Sequence, residues 1–274
     1  MPNLLQHVMV RGIEKRGIFI DDADRLDFVL RFSSLLEATE TECLAWALLS
    51  NHIHLLIRVT SSTLSKFMRR LLTGYAVTFN LRHRRSGHLF QNRYKSIVCE
   101  EEEYLLELVR YIHLNPLRAG MVASLDELDG YPWCGHSVLM AKNEMKGQAA
   151  EEVISRFNRS AKSGRRYYRS FMHDGITMGQ RDELVGIGIC KAERSLDDEL
   201  KDSRVLGNGA FVEQIIRRNV KDVPVTKVPL ERIKETIAAV LDITEEELTS
   251  RQRGLRVAEA RSVSGNVKIT HLGN

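Results

Sequence analysis

Two clusters of side chains in this chain have the types and spacing to do chemistry: His52-Ile53-His54, and Tyr111-Ile112-His113-Leu114-Asn115 further along. Side chains alternate between the faces of a β-strand, so histidines two apart point the same way. In a helix, residues four apart differ by only about 40° around the axis, so Tyr111 and Asn115 share a face. Two imidazoles and one amide oxygen make a three-ligand metal site with open positions. A tyrosine hydroxyl beside such a metal is a nucleophile suited to a phosphate. Singly, each piece is ordinary. An HxH pair often decorates a half-buried strand, a tyrosine often packs, and an asparagine before Pro116 fits a helix end.

Charge says what would carry the phosphate. From Cys43 to Cys99 there is no acid, while Arg58, Lys66, Arg69, Arg70, Arg82, Arg84, Arg85, Arg93 and Lys95 are basic. The whole chain is only +4, so the remainder is net acidic. One basic block on a mildly acidic protein is the footprint of a polyanion site. Together, block and clusters read as a DNA-cutting enzyme, with Arg69, Arg70, Arg82, Arg84, Arg85, Arg93 and Lys95 as candidate DNA contacts. Phe90 or Tyr94 could offer a stacking face to an unpaired base.

Elements must position these groups. Leu5 to Arg11 reads as a strand. Asp21 to Glu37 reads as a helix opened by acids, with Leu26, Val29, Leu30 and Leu36 as its apolar stripe. Cys43 to Leu49 and His52 to Val59 are strands joined at Ser50-Asn51. Ser62 to Arg82 is a second helix, His83 to Tyr94 a basic loop and Lys95 to Cys99 a fourth strand. Glu100 to Asn115 is a third helix, stopped by Pro116, with Leu105, Leu108, Val109 and Ile112 as its core stripe. The first six elements are those of an α+β, ferredoxin-like split βαβ fold with an antiparallel sheet, and the third helix is a catalytic addition. A mostly helical C-terminal region follows. Residues 141–220 form a helical extension, with a polar helical pattern over 141–161 and short helices over 181–220. Residues 221–229 read as a linker and the last part of the chain as a further helical segment.

At 274 residues with 43% hydrophobic and 28% charged residues, the chain has the composition of a soluble globular protein. No apolar run is long enough to span a bilayer, and the N-terminus lacks the pattern of a secretory signal. Cys43, Cys99, Cys134 and Cys190 form no CxxC pair, which fits reduced thiols in a cytoplasmic protein and argues against a cysteine-rich zinc module.

The segments HVMVRG, LLSNHIHLLI, GHLFQNRYKS and RYIHLNPLRAGMV resemble, in order and spacing, the single-tyrosine HUH transposases, and among them the REP-associated tyrosine transposases. The resemblance covers residues 5–140, so residues 1–140 are expected to be the transposase domain. It implies His52 and His54 as the HUH motif, Tyr111 as nucleophile and Asn115 as third metal ligand, where insertion-sequence relatives use glutamine. It also implies Mg²⁺ or Mn²⁺ as cofactor and, as partner, single-stranded DNA with hairpin or palindromic repeats, bound by a monomer or homodimer. Ligand chemistry alone does not select magnesium, since imidazoles suit zinc or manganese at least as well. Several residues that precede the first strand in relatives are missing here. Residues 221–274 resemble the opening of the DNA-binding domain of the replication initiator DnaA without its helix-turn-helix, which suggests a truncated end.

Two other functions compete. A catalytically silent DNA-binding or regulatory protein could keep the fold, but His52, His54, Tyr111 and Asn115 are all intact. An RNA-binding ferredoxin-like module would want paired aromatics on the central strands, and His52 to Val59 has none, although Trp46 sits on the neighbouring strand.

Overall fold

In the computed structural model, residues 4–179, 184, 204–208 and 210–215 are described. Residues 1–217 group as one compact unit and 218–274 as another. The expected linker and DnaA-like segment lie outside the described residues.

The first unit is organised by a sheet whose strands bury side chains on both faces. Strands β1 (Leu5–Arg11), β2 (Glu42–Leu48), β3 (His52–Arg58) and β4 (Lys95–Cys99) pair antiparallel in the order β2-β3-β1-β4, as the split βαβ reading requires. A two-residue strand, β5 (Val205–Leu206), adds to the β4 edge in parallel. On one face lie α1 (Asp22–Ala38) and α2 (Leu64–Arg82), burying Phe28, Phe32, Phe67, Leu71, Tyr75 and Phe79 against Val8, Val10, Ile53, Leu55 and Ile57. Asp21 and Thr63 cap the two helices by accepting from Asp24 N and Lys66 N.

Of the stripe expected on α1, Leu36 is buried and Val29 packs against the core, but Leu26 and Leu30 do not. Leu26 and Leu30 are 50% and 59% exposed, and the buried side chains are Phe28, Phe32, Leu35 and Leu36. Apolar residues occur on both sides of this helix, so periodicity alone does not choose the face.

The opposite face is covered by α3 (Glu101–His113), whose Leu105, Leu108, Val109 and Ile112 are all buried, as expected. Pro116 does not simply stop this helix. The helix ends at His113, Leu114 stays in the αR region, and the chain re-enters a short helix, α4 (Asn115–Arg118), with Pro116 in its first turn. Proline is tolerated there because first-turn N–H groups have no helical partner. Short helices α5 (Leu125–Gly130), α6 (Gly135–Leu139) and α7 (Ala150–Ser155) follow, then α8 (Ala161–Asp174). The helical pattern expected over 141–161 forms as α7 and the first residue of α8; residues 142–149 are turns and coil apart from a bridge between Gln148 and Cys43. Leu139, Val153, Ile154, Tyr168 and Met172 share one core with Leu44, Leu56 and the α3 stripe, so α7 and α8 are built into the same body as the sheet.

Two polar ties hold α3 in place. Arg58, at the end of β3, donates to Glu101 at 2.7 Å and Glu152 at 2.9 Å and also pairs with Glu42. At the other end, His113 Nδ1 lies 2.8 Å from the Tyr168 hydroxyl, which meets His136 Nδ1 at 2.7 Å. His136 Nε2 in turn meets Asp129 at 2.8 Å, and Arg169 donates to the same carboxylate at 2.7 Å. With both faces clad in helices and Trp46 buried, the sheet lacks the open aromatic surface that RNA-binding ferredoxin-like modules use. No helix among the described residues is long and apolar enough to cross a membrane.

Candidate active site

Period-two alternation places His52, His54, Leu56 and Arg58 of β3 on the α3 face. The β2–β3 turn is closed by Leu49 N donating to His52 O at 2.9 Å, and it is pinned from β1 by Gly12 N donating to Asn51 O at 2.8 Å. Its Asn51 donates through Nδ2 to Lys15 O, so Asn51 Oδ1 is the acceptor that faces His52 Nδ1 at 2.7 Å. His52 Nδ1 therefore carries the proton and Nε2 the lone pair. His54, 4% exposed, sits with its ring 5.1 Å from that of His52 and 5.8 Å from that of Tyr111. Asn115 Nδ2 donates to Tyr111 O at 3.0 Å, which leaves Oδ1 as the acceptor end of the amide.

One cleft of about 530 Å³ is lined by His52, His54, Tyr111 and Asn115 together, with Arg11, Lys95 and Arg118 at its walls. Burial, then the charge of Arg11, pushes His52 down to about 4. His54 is held well below the usual histidine range by burial, then by His7, His52 and Arg11. Neutral imidazoles offer lone pairs at neutral pH. The donor set of two imidazole nitrogens and one amide oxygen thus fits a borderline divalent ion, manganese or zinc as well as magnesium. Among the described residues no three His, Cys, Asp or Glu side chains cluster to hold a metal.

Residues 1–115 match the sequence profile of the IS200-like transposases. Over this segment the chain is similar to the IS200-like transposases. Among solved structures, a REP-associated tyrosine transposase bound to a REP hairpin is similar at 15% identity and a TM-score of 0.42, over 52% of this chain and 82% of that one. No curated protein matches the chain.

The basic block is distributed unevenly around the cleft. A second groove of about 720 Å³ runs between α2 and residues 87–94, with Arg69, His88, Phe90 and Arg93 on its walls. It shares Gln91, Asn92 and Tyr94 with the cleft, so the loop forms the rim between them. Lys95 is in the cleft itself. Arg70 is elsewhere, on the other flank of α2 beside Asp27 and Arg31. Arg82 is bound by Asp21 at 2.7 Å and by Asp24, and Arg58 by three glutamates, so neither presents an unshared charge to DNA. Arg84 is exposed at the end of α2, and Arg85 lies over the Phe79 ring at 5.6 Å. His113, between Tyr111 and Asn115 in sequence, is buried in the Tyr168 network and lies outside the cleft.

Two cleft neighbours carry no clear signal in the sequence. Arg118 places its guanidinium 5.7 Å from the Tyr111 ring. His7, fully buried on β1, stacks on His54 at 5.2 Å and meets the edge of Tyr111 at 6.0 Å. His7 belongs to the HVMVRG segment, and the one hint it gives is that of a third histidine on a strand of the same sheet. Only the β1–β3 register, which pairs His7 with Leu56 and Met9 with His54, brings it to the site.

These buried histidines make stability depend on pH. Burial lowers His7 to about 4, and His52 is lowered alike. Below about 6.5 the unfolded chain takes up protons that the folded state refuses, so stability falls from there until the folded groups titrate near 4. For His7 alone the loss reaches about 3 kcal/mol, at about 1.4 kcal/mol per unit. Urea midpoints of metal-free protein should drop steadily from about pH 7 to about pH 4.5. A flat profile would contradict it.

Proposed function

We propose that this chain nicks and rejoins single-stranded DNA, with Tyr111 as nucleophile and a divalent cation, Mn²⁺ or Mg²⁺, held by His52 Nε2, His54 Nε2 and Asn115 Oδ1. The observation that carries the reading is the single cleft lined by all four residues, contributed by a strand and by the α3–α4 junction. When bound, the cation supplies charge neutralisation on the scissile phosphate. Tyr111 Oη forms the bond to phosphorus, the bond from phosphorus to the 3′ oxygen breaks, and the 3′ oxygen leaves as a hydroxyl with the phenol's proton its formal gain. The downstream fragment stays on the tyrosine through its 5′ phosphate, so another strand's 3′ hydroxyl can displace the tyrosine without a nucleotide cofactor. Lys95 and Arg118 supply positive charge around the phosphate. The backbone runs on into the α2 groove past Arg69 and Arg93, where Phe90 and Tyr94 offer faces for unpaired bases. A hairpin-bearing target is carried over from the motif resemblance.

The test is incubation with labelled single strands bearing hairpins in the presence of Mn²⁺. A covalent protein–DNA band that carries the downstream fragment, labelled at its 3′ end, supports the reading. Binding without any band would favour a silent DNA-binding protein.

Binding should weaken with salt, and the geometry ranks the contributions. Removing one cation that neutralises a phosphate of single-stranded DNA lowers the slope of log K against log salt by about 0.7. Arg69→Ala, Arg93→Ala and Lys95→Ala should each do so, whereas Arg82→Ala should leave the slope unchanged because Asp21 and Asp24 already hold that guanidinium. An equal effect from Arg82→Ala would move the binding surface to the end of α2.

A further inference from the structure

His54 can ligate through Nε2 only if its proton sits on Nδ1, and a hydrogen-bond chain behind it dictates that choice. His7 Nδ1 lies 3.2 Å from the carbonyl oxygen of Leu184. A carbonyl only accepts, so His7 Nδ1 carries hydrogen. A neutral imidazole has one N–H, which leaves a lone pair on His7 Nε2. That atom lies 2.9 Å from His54 Nδ1, which must therefore be the donor. The remaining lone pair of His54 is on Nε2.

We infer that His7 is a positioning residue, which fixes His54 in the Nδ1–H tautomer and so presents Nε2 to the cation, with the Leu184 carbonyl as the anchor of the chain. The inference rests on the metal-site reading above. Free histidine favours the opposite tautomer, so without His7 the ligand atom would mostly carry a proton. His7, 0% exposed, reaches neither solvent nor the cleft wall, and its only role toward DNA is through His54. The anchor comes from outside residues 1–115, so a part of the chain beyond the transposase domain orients a ligand within it. Outer hydrogen-bond partners of this kind typically change metal affinity by roughly 10–100-fold.

The experiment uses the full-length protein. Long-range proton–nitrogen spectra of the metal-free wild type should show His54 as the Nδ1–H tautomer; an Nε2–H tautomer there would overturn the inference without any variant. His7→Leu removes the acceptor and should shift His54 toward Nε2–H and weaken Mn²⁺ binding, read by the EPR signal of the free ion, by roughly 10–100-fold. His7→Gln puts an amide oxygen close to where Nε2 stands and should restore both tautomer and affinity to within a few-fold. A His7→Leu protein that keeps the tautomer and the Mn²⁺ affinity of a metal-binding wild type overturns the inference alone. A wild type that takes up no Mn²⁺ overturns the metal reading beneath it.

Discussion

Replacing Tyr111 by phenylalanine should abolish cleavage and the covalent protein–DNA band together, while DNA affinity and folding barely change. An ordinary phenol, with a pKa of about 10, is a poor nucleophile at neutral pH unless a cation favours phenolate or makes the phosphate more electrophilic. Losing the one oxygen that forms the bond to phosphorus should cost on the order of 10⁴-fold or more in rate, the scale on which nucleophile deletions act. The ring would stay against His7, His54 and Arg118, so stability should shift by no more than about 1 kcal/mol, the worth of one hydrogen bond. Tyr94 is the rival to watch, because it also lines the cleft; Tyr104 and Tyr131 do not. A band that persists in the phenylalanine variant but disappears on Tyr94→Phe would transfer the role.

His52→Ala should be nearly as damaging to cleavage, with a fall of at least about 10²-fold, because one of the three proposed ligands is lost. This site tests the metal more cleanly than His54. The His52 ring is half-buried and its Nδ1 bond is to the adjacent Asn51, whereas removing His54 would also strand the buried Nε2 of His7. Melting of His52→Ala should therefore stay close to wild type. Chelation of the wild-type protein should silence it reversibly, with Mn²⁺ or Mg²⁺ restoring the band. Undiminished cutting by His52→Ala in chelator would end the metal proposal.

What can be read from sequence is what depends on near neighbours. The period-two HIH on β3, the four-residue spacing of Tyr111 and Asn115 and the buried stripe of α3 all come from local geometry, and the strand–helix order is enough for the split βαβ core. Long-range pairing hides the rest. Arg82 looks like a DNA contact in sequence because the acids that hold it, Asp21 and Asp24, lie about sixty residues earlier, at the start of another helix. His7 enters the site only through strand register and a carbonyl at residue 184. The face of α1 is ambiguous because Leu26 and Leu30 compete with Phe28 and Phe32, and only packing against α2 and the sheet decides. Pro116 marks the end of α3, but that its ring seeds another helical turn depends on Leu114 keeping a helical backbone.

The Arg58 cluster has a mechanical consequence. It fastens β3 to the first residue of α3, two strand positions beyond Leu56 and at the far end of the helix from Tyr111. The roughly ten residues between make a rigid arm of about 15 Å. A tilt of about 5° about that end would carry the tyrosine by about 1.3 Å, and the His113–Tyr168 tie at the other end opposes it. Loosening either tie would blur the aim of the proposed nucleophile without touching a single group in the cleft.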